Sequence, residues 1–459
     1  MSKPIQRLNI ANLAFIAASA LLAFLALKML LFLDAYGSPF PHMDDWRFQN
    51  NNSFITTIFT LNNENFQVFT NALYWLAPRF GFPFWGLRYV SFALFLLMMF
   101  TLYRLLKKNV PDNRRWLLIL AFCPFFSFYM GDNLLWSILS QTWLYFLFTL
   151  WAIKYSFEQP QTLKNQIITL IMGIAACFAM NISLPFLFAL LYGARTCYLH
   201  KEISTKNFYG QLLISILILI TCFGLYMVIR KNDTTEFSFL TLLSKDYWLW
   251  LSYSLLGVWD GFLISAENTW FYYIGGITIL LWLLFLFIRQ IRYQETHQNW
   301  CTALTLLGGI ALIVIFRGQW MLAIAGHTSR HMIYAACLTP IIYTLGATDK
   351  NIIIRYIADV LLIAILLCSY PTLNAANYSN RVYQPLGESC LLNHLDIQKN
   401  QQDFNCGRGW TDLNKPYQWF VTHDAAFKNA YQKDAATGIY HYNGKVFYKI
   451  PGKKILLFR

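Results

Sequence analysis

The sequence predicts an all-α polytopic membrane protein with about eleven transmembrane helices. Three observations carry that reading. Of 459 residues 57% are hydrophobic and only 13% charged, which is too apolar for one or two water-soluble domains. Apolar windows of roughly 17 to 25 residues recur along the chain, the length that crosses a hydrocarbon core as helix. Lys and Arg gather in alternate connections, as they do in short cytoplasmic loops.

Taken in order, the spans fall at about 8–33, 85–106, 115–130, 138–154, 166–180, 184–199, 209–229, 272–289, 301–316, 331–347 and 353–370. The first follows Lys3 and Arg7, exceeds a signal-peptide core and shows no small-residue cleavage site, so it reads as a retained helix. Near residues 166–199 the run is interrupted by MNISLP, Met180 to Pro185. Proline removes a backbone donor and biases the residue before it away from helix, so two helices meet there. Arg104, Lys107, Arg115, Lys154, Lys206 and Arg289 then share one side with Lys350 and Arg355. That side is the cytoplasm, which leaves the N-terminus cytoplasmic and the C-terminus outside.

Residues 1–370 thus form a transmembrane bundle, with a first extracytoplasmic loop at 34–84 and a second large outer loop at 230–271. Within the first, Phe66, Phe69, Leu73 and Leu76 recur at three- and four-residue steps, predicting a helix that lies along the interface. The apolar stretch 247–264 reads as interfacial or re-entrant, because counting it as a span would put Arg289 and Arg292 outside. Residues 371–459 form a small extracytoplasmic appendage. Its Asn443-Gly444 pair, between two aromatic-rich runs, predicts a two-residue hairpin turn. Cys390 and Cys406 lie in this polar segment and predict a disulfide, whereas the other seven cysteines lie in or beside spans as small packed hydrophobes.

The formal charge of +14 does not signal nucleic acid, since the cations are spread over loop after loop without a basic face. The acids gather on the opposite side. Asp44 and Asp45, beside His42 and Trp46, are either a solvated turn or a catalytic pair in which each charge raises its neighbour's pKa towards useful basicity. Glu64 is either a helix N-terminal acid or a substrate ligand, and Asp132 either caps the helix after it or joins the same site. Arg317, His327 and Arg330, with His331, stand where two spans reach the outer surface. They either snorkel to headgroups or form a phosphate clamp, for which Arg offers a planar and permanently charged fork. Asp359, close to the inner end of the last span, snorkels or pairs with Arg355.

Four stretches together resemble the bacterial GT-C superfamily of integral-membrane glycosyltransferases: HMDDWRF, NENFQVFTNALYWLAPRFG, DNLLWSILSQTWLYFLF and HTSRHMIYAACL. The resemblance covers order and topology over about the first 370 residues. The resemblance implies NEH where this chain has Asn63-Glu64-Asn65, and an aromatic SRY where it has Ser329-Arg330-His331. It implies a GT-C-like bundle in the bacterial inner membrane that transfers sugar from a polyprenyl-phosphate-linked donor to a periplasmic glycan or lipid acceptor. Asp44 or Asp45 would be the base and the arginines would hold the departing lipid phosphate. No cofactor is required on this reading, although an Asp pair can hold Mg or Mn.

Three other readings stay open, one of them a structural membrane subunit without chemistry of its own. A transporter or flippase of lipid-linked sugars predicts ionisable residues near the midplane and paired repeats, neither of which is visible here. An O-antigen polymerase or ligase carries its key Arg and His residues in a large later outer loop, against which the large first loop and its Asp pair argue.

Overall fold

The structure is a computed structural model that describes residues 10–36, 53–59, 61–62, 65–80, 86–126, 134, 140–158, 161–180, 184–199, 201, 203–230, 247–248, 251–252, 255, 269–290, 296–321, 329–375, 432–434, 439–442, 445–449 and 456–458. Thirteen α-helices occur among them. They are α1 (Ile10–Tyr36), α2 (Phe54–Ile58), α3 (Val68–Arg79), α4 (Leu87–Leu106), α5 (Arg115–Leu120), α6 (Ser140–Phe157) and α7 (Leu163–Ala179), followed by α8 (Leu184–Leu199), α9 (Thr205–Arg230), α10 (Thr269–Gln290), α11 (His297–Met321), α12 (Ser329–Ala347) and α13 (Ile352–Ala375).

Helices α4 and α6 run parallel, with their N-terminal ends towards α3 and the first loop and their C-terminal ends carrying Arg104 and Lys154. Three described helices are long and apolar enough to cross a membrane: Ile10–Leu33, Leu87–Leu106 and Thr205–Val228. Their outward faces expose Phe24, Leu27 and Leu31 on α1 and Leu213, Ile220 and Phe223 on α9. Ranks of apolar side chains on this scale are stable against lipid and not against water, as in a helical membrane protein.

The core is aromatic. Phe95 of α4 sits at its centre, 4.9 Å from the Trp143 ring, 5.7 Å from Phe126 and 6.0 Å from Phe125. A second cluster joins Ala152 of α6, Cys177 of α7, Phe186 and Ala189 of α8, Ile218 of α9 and Cys301 of α11. Close approach of α11 to α12 depends on Gly309, where a Cβ would stand 2.8 Å from Tyr334 Cε1. Cys123, Cys177, Cys197, Cys301 and Cys337 are buried free thiols, as small packed hydrophobes should be.

Several expectations change. The span expected at 115–130 is α-helical only to Leu120, after which Cys123–Phe126 forms a 3-10 turn. Pro124, with no amide hydrogen to give, accounts for the change of pitch. The chain is also not purely α. Residues Leu61–Asn62 (β1) and Asn65–Phe66 (β2) pair antiparallel in the first loop, and β3 (Gln432–Asp434), β4 (Ile439–Tyr442), β5 (Lys445–Lys449) and β6 (Leu456–Phe458) form a four-stranded antiparallel meander. Tyr442 pairs with Lys445, the register that a two-residue connection at Asn443-Gly444 produces. At the interruption before Pro185, α7 ends on Met180 in extended backbone, with φ −161° and ψ 136°.

The basic end is stitched by ion pairs. Arg114 Nε lies 3.0 Å from Asp359 Oδ2, and the Tyr343 hydroxyl donates to Asp359 Oδ1 at 3.2 Å. Asp359 of α13 therefore pairs with Arg114, the residue just before α5, not with Arg355 on its own helix. The reason is burial: Asp359 faces the bundle, where a carboxylate needs both a cation and a hydroxyl. Nearby, Arg289 Nη2 stands 3.3 Å from Asp349 Oδ1, and that oxygen also accepts from the Asn351 amide at 2.8 Å.

Candidate functional site

Helix α3 carries the first loop back onto the bundle. Its buried positions are Gln67, just before the helix, then Thr70, Asn71, Tyr74 and Ala77, at three- and four-residue spacing. Of the apolar stripe expected on an interfacial helix, Phe69, Leu73 and Leu76 are half-buried, and Phe69 meets Phe148 of α6 at 5.1 Å. The buried face is polar where α3 docks on α6 through hydrogen bonds: the Thr70 and Ser140 hydroxyls are bonded at 3.0 Å, and Asn71 Nδ2 donates to the Ile58 carbonyl of α2 at 3.3 Å. A buried polar side chain is tolerable only where such partners exist. Beyond them, the Arg79 guanidinium lies 3.4 Å over the Trp75 ring, closing the C-terminus of α3.

Helices α4 and α6 run side by side in the same direction away from this end. Their register is fixed where the Trp143 indole donates to Ser91 Oγ at 3.0 Å. Three residues before that contact on each helix stand Arg88 and Ser140, both about 4.5 Å nearer the first loop. Arg88, Thr70, Ser140 and Gln141 therefore share one layer. All four are buried, Arg88 being 6% and Gln141 7% exposed. Gln141 Oε1 has no hydrogen-bond partner.

Helix α12 enters the same level. Phe146 of α6 meets Tyr334 of α12 at 4.9 Å, and α12 also runs away from the first loop. Arg330 lies one turn before Tyr334, so its backbone falls beside the Thr142 level of α6, next to the layer just described. Arg317 lies on α11 two turns beyond Gly309, which faces Tyr334. That puts it about 6 Å further towards the outer surface than Arg330.

His42, Asp44, Asp45, Glu64, Asp132 and His327 lie outside the described residues, as do Cys390 and Cys406. Glu64 is bracketed by the β1–β2 pair, in which Asn62 faces Asn65, and α3 begins only at Val68 with no acid in its first turn. Among the described residues there is no cluster of three metal-ligating side chains.

Sequence reasoning missed Arg88, Gln141 and the polar face of α3. One signal was available for the arginine. It stands at the end of its span opposite to Arg104 and Lys107, against the charge asymmetry that orients the rest of the chain. Gln141, set within a continuous apolar run, gave no such sign. No family model, curated protein or solved structure matched the chain.

Proposed function

We propose that the chain is a membrane glycosyltransferase that moves a sugar from a polyprenyl-phosphate donor to a periplasmic glycan or lipid acceptor. On this reading it has about eleven spans in a bacterial inner membrane, its N-terminus cytoplasmic and its C-terminus periplasmic. The observation that carries it is the polar layer at the first-loop end: a buried guanidinium, two bonded hydroxyls and an unpartnered amide oxygen, with the backbone of Arg330 alongside. Hydroxyl and phosphate recognition needs groups of this kind, fixed in a water-poor place where their dipoles act strongly.

In the reaction, the acceptor hydroxyl oxygen attacks the anomeric carbon as the bond from that carbon to the phosphate oxygen breaks, with inversion. The proton passes to the carboxylate of Asp44 or Asp45. The leaving polyprenyl phosphate carries the electron pair, and Arg330, with Arg317 and His327, offsets its charge. No nucleotide takes part, and an Mg or Mn ion on the Asp pair would assist by holding the acceptor. His42, Glu64 and Asp132 are assigned to substrate binding.

The test is glycan mass spectrometry of membranes from cells lacking the gene, complemented by wild type, Asp44→Asn or Asp45→Asn at equal protein levels. A sugar that disappears on deletion and returns with wild type, but not with one Asn variant, is the expected result. Full restoration by both variants overturns the transferase assignment and favours transport of the lipid-linked sugar.

A further inference from the structure

We propose that the basic end of α13 binds an anionic phospholipid, whose phosphate sits on Arg355 and whose acyl chains lie along the outward face of the same helix. Such a site lies at the end of the bundle away from the first loop and is independent of the sugar transfer proposed above.

Arg355 stands one turn before Asp359 on α13, where residues four apart share a face. An arginine so placed would ordinarily take that carboxylate, but Asp359 is already filled. Arg114 Nε donates to both its oxygens, at 3.0 and 3.4 Å, and the Tyr343 hydroxyl donates to Oδ1. Arg355 is thereby left without an acid among the described residues, and its Nε is buried with no hydrogen-bond partner. Arg115 differs: its Nε is also unpartnered, but its Nη2 holds Asp112 at 2.6 Å. A guanidinium keeps its charge at every relevant pH, and a buried N–H without an acceptor is costly, so Arg355 calls for an anion from outside the chain. Phosphate fits, because two of its oxygens match two parallel N–H donors. Arg114 adds positive charge on the same side, its guanidinium carbon lying 5.3 Å from the ring of Tyr356, the residue after Arg355.

The outward face of α13 indicates what carries the phosphate. Ile353, Tyr356, Val360, Ile363 and Leu367 recur at steps of three and four residues, and all are exposed. They form one apolar stripe that starts beside Arg355 and runs about 20 Å along the helix. Acyl chains suit such a stripe and water does not. A free phosphate would leave it uncovered. A second copy of the chain would cover it, but a two-fold pairing of this face would bring each Arg355 against its twin, with like charges opposed. Lys107 and Lys108 lie at the same end, which favours a net-negative headgroup over a zwitterionic one.

The experiment titrates the purified full-length chain, in a neutral detergent, with dioctanoyl phosphatidylglycerol and counts bound lipid by native mass spectrometry. Dioctanoyl phosphatidylcholine and inorganic phosphate are the comparisons. Phosphatidylglycerol should bind about tenfold more tightly than phosphatidylcholine, and inorganic phosphate at equal concentration should not displace it. Arg355→Gln should lose about tenfold of that affinity, the scale of one charge-assisted hydrogen bond, and Arg355→Lys should keep part of it. Arg104→Gln removes an exposed cation of the same end and should change the affinity less than about twofold. Tyr356→Glu leaves both arginines and sets a carboxylate beside them in the lipid's place, so it too should lose about tenfold. That variant decides the matter if Arg355→Gln does not fold.

Equal affinity for the two lipids, full displacement by inorganic phosphate, or unchanged binding in both Arg355→Gln and Tyr356→Glu overturns the inference. Equal losses in Arg355→Gln and Arg104→Gln overturn it as well, since they describe a diffuse basic surface instead of a site.

Discussion

The two ends of the bundle bury different polar groups: ion pairs at the basic end, and hydroxyls, an amide and an arginine at the first-loop end. At the basic end, two arginines enter the protein with an acid: Arg114 with Asp359, Arg289 with Asp349. Asp349 and Asp359 each take a further hydrogen bond, from the Asn351 amide and the Tyr343 hydroxyl. At the first-loop end a buried arginine shares its layer with two mutually bonded hydroxyls and with Gln141, whose Oε1 has no hydrogen-bond partner. Groups that complete one another act as a latch that holds helices together.

Breaking the latch should have the largest effect. Arg114 and Asp359 are 11% and 17% exposed, so Arg114→Ala strands a carboxylate that is mostly out of water. The expected loss is about 3 kcal/mol, the scale for removing one partner of a buried pair. It is read as a lower temperature at which half the detergent-solubilised protein stays monodisperse. Replacing both residues by Met should cost clearly less than Arg114→Ala alone. If the double variant is the less stable one, the pair contributes through packing and the contrast between the two ends weakens.

A second break lies where the 247–255 segment meets α10. Tyr247, Leu251 and Leu255 recur at four-residue steps as buried positions, and Gly276 lets Ser252 approach so closely that a Cβ there would stand 2.8 Å from Ser252 Cα. Backbone gives way less easily than a flexible side chain, so Gly276→Val should cost about 1–3 kcal/mol. Gly224 of α9 meets nothing within 4 Å, and the same change there should be near neutral. Parallel thermal measurements on the two variants check this, and equal losses would mean that Ser252 is not held against α10.

These two sites show what the sequence could and could not disclose. Hydropathy located the long helices within a few residues because lipid-facing faces need little partner information: α4 was expected at 85–106 and runs Leu87–Leu106. The Asn-Gly pair was as legible, since a hairpin turn is set locally by backbone conformation. Partner choice was not. Asp359 bonds to a residue 245 positions away, and the docked face of α3 is set by a hydroxyl on α6, neither of which leaves a periodic trace. Arg88 was visible as a charge on the wrong side of its helix, but only the packing shows that it is buried.

Smaller effects sharpen the comparison at the first-loop end. Trp143→Phe keeps the ring beside Phe95 and removes the indole bond to Ser91 at 3.0 Å that sets the register of α4 against α6. About 1 kcal/mol should be lost, the net value of one hydrogen bond together with the stranded Ser91 hydroxyl. Ser91→Ala should cost a similar amount, and adding it to Trp143→Phe should cost almost nothing more. Independent losses that simply sum would show that the two residues do not work as a pair.

The smallest change should run in the other direction. Gln141 at the first-loop end and Asn299 at the basic end are both buried, with amide atoms that find no partner: Oε1 of Gln141, and both Oδ1 and Nδ2 of Asn299. Replacing either by Leu keeps similar volume and removes a polar group that folding leaves unsatisfied. Each variant should therefore match or exceed wild-type stability, by about 1 kcal/mol. A loss of stability in Gln141→Leu comparable to that of Trp143→Phe would make the amide a structural group, and the first-loop end would then be a second latch.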